Sequence, residues 1–358
     1  MKSSTHPLVN IPTLSAIQAK PSLQLGLSLI ELMISITIGL LILVALSTLF
    51  INQSKARVEL DKSNRMIDNG RYALELLSDN LRLAGYYGEF SPTSGVPAVP
   101  ATLPDPCSTL ASDMAAALQL AVQAYDAAAL TSSISSPPCG LTYTAGSNLT
   151  VKPGSDIMVI RRVSTATSIV QGVAMSGTHY LQASLCQYDL VPYKIDTVPA
   201  NFTLRQKTCT PSSTTPYADL RQFVVQVYFV SPNNKASPAD GIPTLKRMEL
   251  DPTTHVFVTT PLVEGIEFMQ LEYGLDANND GVADSYVAAP AATDWPNVVA
   301  VKLYILARNT EATKSYADAK TYSLGLAGSV VAPNDPYKRH AYTQYIRLIN
   351  VAGRREVQ

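Results

Sequence analysis

Apolar positions fall into three regimes along the chain. Residues 27–51 are apolar almost without a break, residues 52–85 gather their apolar side chains on one face, and beyond residue 217 short β-branched and aromatic runs alternate with turn residues. The first regime, LSLIELMISITIGLLILVALSTLFI, carries a single formal charge, Glu31. Its roughly 25 residues are enough to cross a ~30 Å hydrocarbon layer as a helix. Within it Ser35 and Gly39 stand four apart, a small pair that lets helices approach closely in lipid or is simply tolerated there. In the second regime Leu60, Ile67, Leu74 and Leu81 recur every seventh residue, with Gly70, Leu77 and Ala84 at the companion positions, so one seam faces a partner. Lys55/Glu59, Asp61/Arg65 and Arg71/Glu75 are opposite in sign at helical spacing, which supports a continued solvated helix. Gly85 ends it. The pattern therefore predicts one helix from Leu27 to Ala84, roughly 85 Å long at the usual rise.

Residues 86–217 read as a variable, loop-rich insertion. Residues 111–130 are rich in strong helix formers and predict a helix. SDIMVIRRV, residues 155–163, predicts a strand, with Arg161 and Arg162 as its solvated end. Within residues 218–358 the runs QFVVQVYFVS, TLKRMEL, GIEFMQLEYG, NVVAVKLYILAR and YTQYIRLINV are separated by Pro, Asn, Asp and Gly, and predict an antiparallel sheet. Packed on the helix seam, that sheet gives an α+β head.

Composition changes the picture in two ways. Only 15% of the 358 residues are charged while 46% are hydrophobic, which suits a surface outside the cytoplasm. The net charge of −1 gives no global attraction to nucleic acid or to an anionic membrane face, and no cluster of basic and aromatic residues argues for nucleic acid locally. The four cysteines, Cys107, Cys139, Cys186 and Cys209, lack zinc-site spacing. In an exported segment they suggest two disulfides; three connectivities exist, and pairing of neighbours is favoured because each pair would staple a loop-rich stretch. Free thiols in a reducing compartment are the alternative.

Candidate chemistry is sparse. Asp276, Asn278, Asp280, Val282 and Asp284 match the first part of a calcium loop, with Gly281 at the sharp turn, although Val287 stands where a bidentate Glu is expected and Asp294 would have to complete the shell. The same Asn-Asp-Gly stretch is also a plain hairpin turn. The histidines His6, His179, His255 and His340 are scattered, and there is no phosphate-binding lysine loop, dinucleotide fingerprint or metalloprotease helix. No enzyme and no required cofactor are expected. Glu31 is the residue that asks for an explanation. A lone carboxylate in a membrane helix costs about 2.5 to 3.5 kcal/mol on insertion scales, so it snorkels to nearby headgroups or has a partner.

Gly26-Leu27-Ser28-Leu29-Ile30-Glu31-Leu32 resembles the class III signal of type IV prepilins and pseudopilins. The resemblance implies that residues 1–26 are a leader removed by a prepilin peptidase between Gly26 and Leu27. The same peptidase would methylate the new amine of Leu27, and Glu31, at the fifth mature position, would pair with such an amine during assembly. It also places the N-terminus on the cytoplasmic side, which Lys2, Lys20 and His6 before the span and Lys55 and Arg57 after it leave undecided. Residues 66–88, 262–281, 295–308 and 337–350 are similar to PilW, a family of type IV pilus minor pilins. This implies a single-pass inner-membrane protein with a periplasmic head that moves to the extracellular pilus of a Gram-negative bacterium. Its partners would be other minor pilins, the major pilin and a tip adhesin, and its task to prime assembly from the tip. The J-type pseudopilins of type II secretion are the nearest alternative, and a membrane-anchored periplasmic calcium-binding adhesive module is the alternative from another class.

Overall fold

The structure, a computed structural model, describes residues 26, 28–92, 95–166 and 168–356. The chain falls into two units, residues 1–57 and 58–358. The leader expected over residues 1–26, apart from Gly26, and the methylation position Leu27 lie outside the described residues.

Helix α1 runs Leu29–Leu83. In the first unit its apolar side chains are exposed throughout, Leu29, Phe50 and Leu41 among the most open, and it is long and apolar enough to cross a membrane. Three of the hydroxyls that interrupt it bond back within the helix: Ser35 Oγ donates to the Glu31 carbonyl at 2.7 Å, Thr37 Oγ1 to the carbonyls of Met33 and Ile34, and Thr48 Oγ1 to the Ala45 carbonyl. Back-bonding of this kind lowers the cost of placing a hydroxyl in an apolar surrounding.

The second unit is an α+β head. After α1 come α2 (Ala111–Ala116), β1 (Val122–Tyr125), β2 (Ile157–Val163), β3 (Tyr180–Ala183), β4 (Tyr193–Asp196), β5 (Leu220–Ser231), β6 (Thr244–Leu250), β7 (Phe257–Glu264), β8 (Ile266–Leu275) and β9 (Ser285–Val287). They are followed by β10 (Val298–Arg308), β11 (Thr321–Ser323), β12 (Ser329–Val331), β13 (Arg339–Arg347) and α3 (Ile349–Arg355). All named strand pairs are antiparallel. The long β5 is the spine of a seven-stranded sheet, pairing β2, β3 and β6, with β1, β4 and β7 outermost. A second sheet has the order β13-β10-β8-β9, and β11 with β12 makes a small ribbon.

One core joins the helix to both sheets. Met66, Ala73, Leu77 and Leu81 of α1 pack with Met269, Leu271, Val301, Leu303, Ile305 and Ile346 of the four-stranded sheet and with Met158, Tyr228 and Leu245 of the larger one. On the other face of the seven-stranded sheet Val159, Val225, Phe229 and Met248 bury under Phe90, Met114, Leu118, Leu141 and Val151. Residues 86–217 are therefore not an appendage: β1 to β4 belong to the same sheet as β5 to β7, and the division at 217/218 is not a boundary in the structure.

Several expectations are corrected. The helix expected over 111–130 stops at Ala116; Leu118 and Leu120 are buried, and Val122–Tyr125 pair with β2. A strand ladder and a buried face outweigh a few tenths of a kcal/mol of helix propensity per residue. Arg161 is not a solvated strand end. It is 2% exposed, donates to Gln123 Oε1 at 2.7 Å and to the Leu120 carbonyl, and burial lowers its pKa to about 10. The closing run YTQYIRLINV is strand only to Arg347 and then turns into α3. Strand β7, with Pro261 inside it, is not among the runs that the sequence pattern predicts.

Candidate functional site

Three places carry the residues singled out by the sequence: the Glu31 end of α1, the face of α1 docked on the head, and the Asp276 loop. Glu31 is exposed in the first turn of α1, where a negative charge also complements the helix dipole.

The docked face is built from small and large apolar side chains in turn. Met66, Gly70, Ala73, Leu77 and Leu81 are buried, and Ile67 and Leu74 flank them half-buried. Leu60 is 63% exposed and does not belong to the seam. A straight α-helix drifts about 20° per seven residues, so a strict seventh-residue line leaves the docked face while the mixed three-and-four spacing stays on it. Gly70 has a specific reason. A Cβ there would collide with the ring of Tyr342 on β13, whose hydroxyl donates to the Ile67 carbonyl at 3.3 Å. Buried Ser78 donates to Gln344 Oε1 of the same strand at 2.8 Å.

A polar clasp closes the dock beside this seam. It comes from the segment between β10 and β13. Thr313 Oγ1 donates to Glu59 Oε2 at 2.6 Å, Lys62 Nζ donates to the Ala312 carbonyl at 2.9 Å, and Lys338 lies 3.6 Å from Glu59. The Thr313 hydroxyl, then Lys62 and Lys338, hold the Glu59 carboxyl below its ordinary pKa against the effect of desolvation. Arg65 and Lys62 both approach Glu311. The clasp is anchored from below by Arg339, whose guanidinium is 1% exposed and binds Glu267 (2.6 and 3.1 Å), Asp335 (2.6 and 2.7 Å) and Asp318 (3.3 Å). Burial alone would make this arginine easier to deprotonate; the hydrogen bonds to Asp335 and Glu267 reverse that and raise its pKa. The sequence pattern gives Glu59 only a surface pairing with Lys55 and gives Thr313 and Arg339 no role, because Thr313 and Glu267 meet their partners from distant parts of the chain.

The Asp276 loop joins β8 to β9 as a closed turn. Buried Asp276 accepts from the amides of Asn279 (2.7 Å), Gly281 (2.9 Å) and Asp280 (3.2 Å), and Arg355 of α3 lies 3.3 Å from its Oδ2. Burial pushes the Asp276 carboxyl up, but the Gly281 and Asn279 amides and Arg355 outweigh it and leave the pKa lowered. Asp284 accepts from the Ala277 amide, Asp280 accepts from the Val282 amide and from Asn278 Nδ2, and the Val282 side chain is exposed. Asn279 and Gly281 adopt positive φ of 64° and 79°, as a tight hairpin turn requires. Among the described residues, the carboxylates of Asp276, Asp280 and Asp284 do not converge on one point. Asp294 lies in the segment after β9 and makes no hydrogen bond with them. The loop thus has the form of a turn whose acids serve its own amides and an arginine.

The cysteines form two bridges, Cys107 with Cys139 and Cys186 with Cys209, with Cα atoms 5.2 and 5.8 Å apart. The second closes a loop fixed further by Arg205, which donates to Asp189 Oδ1 at 2.7 Å and to the Thr210 carbonyl.

Comparison with known proteins points to the same part of the head. Residues 227–350 match the family model of type IV pilus-assembly protein W, PilW. That segment runs from the middle of β5 to the start of α3 and contains Glu311, Thr313, Lys338, Tyr342 and Gln344, whose side chains bond to α1. No curated protein matches the chain. Among solved structures, the type IV-like pilin TTHA1219 from Thermus thermophilus is similar over 55% of this chain and 80% of its own, at 15% identity and a TM-score of 0.28, a distant likeness. The segment that supplies these contacts to α1 is thus similar to PilW, type IV pilus-assembly protein W.

Proposed function

We propose that the chain is a minor pilin: a non-enzymatic subunit made as a prepilin, held in the inner membrane by the first half of α1, and then drawn into a pilus. In this reading prepilin peptidase cuts between Gly26 and Leu27 and methylates the Leu27 amine. Glu31 then meets the amine of a neighbouring subunit. Two opposite charges brought together out of water attract strongly and mark one register, whereas either alone in lipid is disfavoured. The exposed apolar half of α1 fills the helical bundle of the filament, and the head faces its partners. Those partners are other minor pilins, the major pilin and a tip adhesin, and the task is to prime assembly and remain in the tip complex.

The observation that carries this reading is the coincidence of the family-model match with the α1 dock, in a chain whose preceding apolar helix is exposed. The test is Glu31→Ala expressed in cells lacking the native copy. The variant should be cleaved normally yet enter sheared pili poorly and lower pilus number; normal pilus number and normal co-purification with other minor pilins would refute the role. A J-type pseudopilin of type II secretion differs only in the appendage, and the same variant distinguishes them by whether piliation or secretion fails. The calcium-binding adhesive module finds less support, because Arg355 and the turn amides already occupy Asp276. Calcium titration of the head, read by thermal melting, should give no shift; a saturable rise in Tm lost in Asp280→Asn would revive that module.

A further inference from the structure

Strand β6 carries a lysine whose environment suits neither a core nor a surface. Lys246 is 1% exposed as a residue, and among the described residues no side chain or carbonyl pairs with its ammonium, which is not closed off from solvent. Burial lowers its pKa, opposed only by Asp240. That acid is committed elsewhere: it accepts from the amides of Asn234 (3.0 Å), Lys235 (3.1 Å) and Ile242 (3.1 Å). Glu264, the other nearby acid, accepts from Asn234 Nδ2. A lysine whose stem is buried along a strand while its ammonium meets the wall of an open pocket holds its charge available to an anion there.

The lysine lines an open pocket of about 560 Å³, made where the turn holding Asn148 and the β5–β6 connection meet β6 and β7. Thr259 lines the same pocket and its Oγ1 is buried without a partner. Asn148, Asn234, Lys235 and Ser237 supply further polar groups, and only Ala236 and Pro261 are apolar. An apolar ligand would gain little there. A small ligand with hydroxyls and one anionic group would pair with both the Lys246 ammonium and the Thr259 hydroxyl, and the volume suits one or two sugar rings. An extended peptide is less suited: β7 is a free edge, but Pro261 at the pocket offers no N–H to a main-chain ladder.

We propose that this pocket binds an acidic saccharide, its carboxylate on Lys246 and its hydroxyls on Thr259 and the flanking amides. The site is independent of whether the chain enters a pilus. Calorimetry on the detergent-solubilised full chain tests it, with a glucuronate-containing disaccharide, its neutral glucose counterpart and an acidic tetrapeptide as probes. The acidic disaccharide should bind saturably and the neutral one at least tenfold more weakly. Lys246→Met should lower affinity at least tenfold, Lys246→Arg should restore part of it, and Thr259→Val should weaken binding with Lys246 intact. No saturable binding of the acidic disaccharide, equal binding of the neutral one, unchanged affinity in Lys246→Met, or preference for the tetrapeptide would overturn the proposal.

Discussion

At the scale of single residues, close packing decides what intrinsic preference would leave open. Gly70 sits in the middle of a helix, where replacing glycine by alanine ordinarily gains about 1 kcal/mol. Here the new methyl would run into the ring of Tyr342, and overpacking of this kind costs about 1–3 kcal/mol. Gly70→Ala should therefore lower stability by about 1 kcal/mol in denaturant titration, and a gain in stability would show that the contact is loose. Arg339 makes the opposite kind of argument. Removing one member of a buried ion network leaves its partners charged and unpaired, so Arg339→Met should cost about 3–5 kcal/mol. Arg339→Lys should recover little, because a point charge cannot hold Glu267 and Asp335 bidentately; equal urea midpoints for the Arg339→Lys variant and the native protein would contradict this. Neither role is legible in the sequence. Spacing alone puts Gly70 on the seam without naming Tyr342 as its neighbour, and Arg161 reads as solvated because a sequence does not show which strand will cover a basic side chain.

At the scale of elements, the clasp between residues 59–65 of α1 and residues 311–313 should respond to acid. Glu59 has a lowered pKa in the folded state, so its contribution is present above the ordinary glutamate range, near 4.5, and fades as pH falls through the folded value. Amide exchange around Thr313 should speed up between about pH 6 and pH 3 beyond the intrinsic chemical trend. Asp335 shares the segment and is likewise lowered, chiefly by Arg339, so Glu59→Gln isolates the effect. At about pH 6 the variant should exchange faster, and it should respond less to acid; an identical pH response would remove Glu59 from the account. Element legibility follows physical cause. Helix α1 and strands β5, β6, β8 and β10 are visible in the sequence because their apolar period or β-branched bias agrees with where they pack. Residues 117–125 read as helix because tertiary pairing with β2 overrides alanine-rich propensity, and β7 is hidden by Pro261 and a mostly exposed edge position. The turn at Asp276 supports two readings from the same residues, since calcium loops and hairpin turns both need acids around a glycine.

At the scale of the whole molecule, the apolar part of α1, exposed among the described residues, and a head with its own core are the two parts that the assembly role proposed above requires. The described residues supply the head with two covered sheets, two disulfides and a firmly docked amphipathic segment, Val58–Leu83, while the apolar side chains before it are left for lipid or for other helices. The α+β class and the apolar span are legible in the sequence because both follow from patterning over many residues. The way β1 to β4 join the large sheet is not, since it rests on pairings between segments some sixty residues apart. In the proposed role Glu31 gains a counter-ion only if the chain is cut between Gly26 and Leu27, and mass spectrometry of the amino-terminal peptide from membrane or pilus fractions reads that junction. A chain beginning at N-methylated Leu27 is the result expected; a chain that keeps Met1 and its leader, in cells that trim their other pilins, would contradict that role.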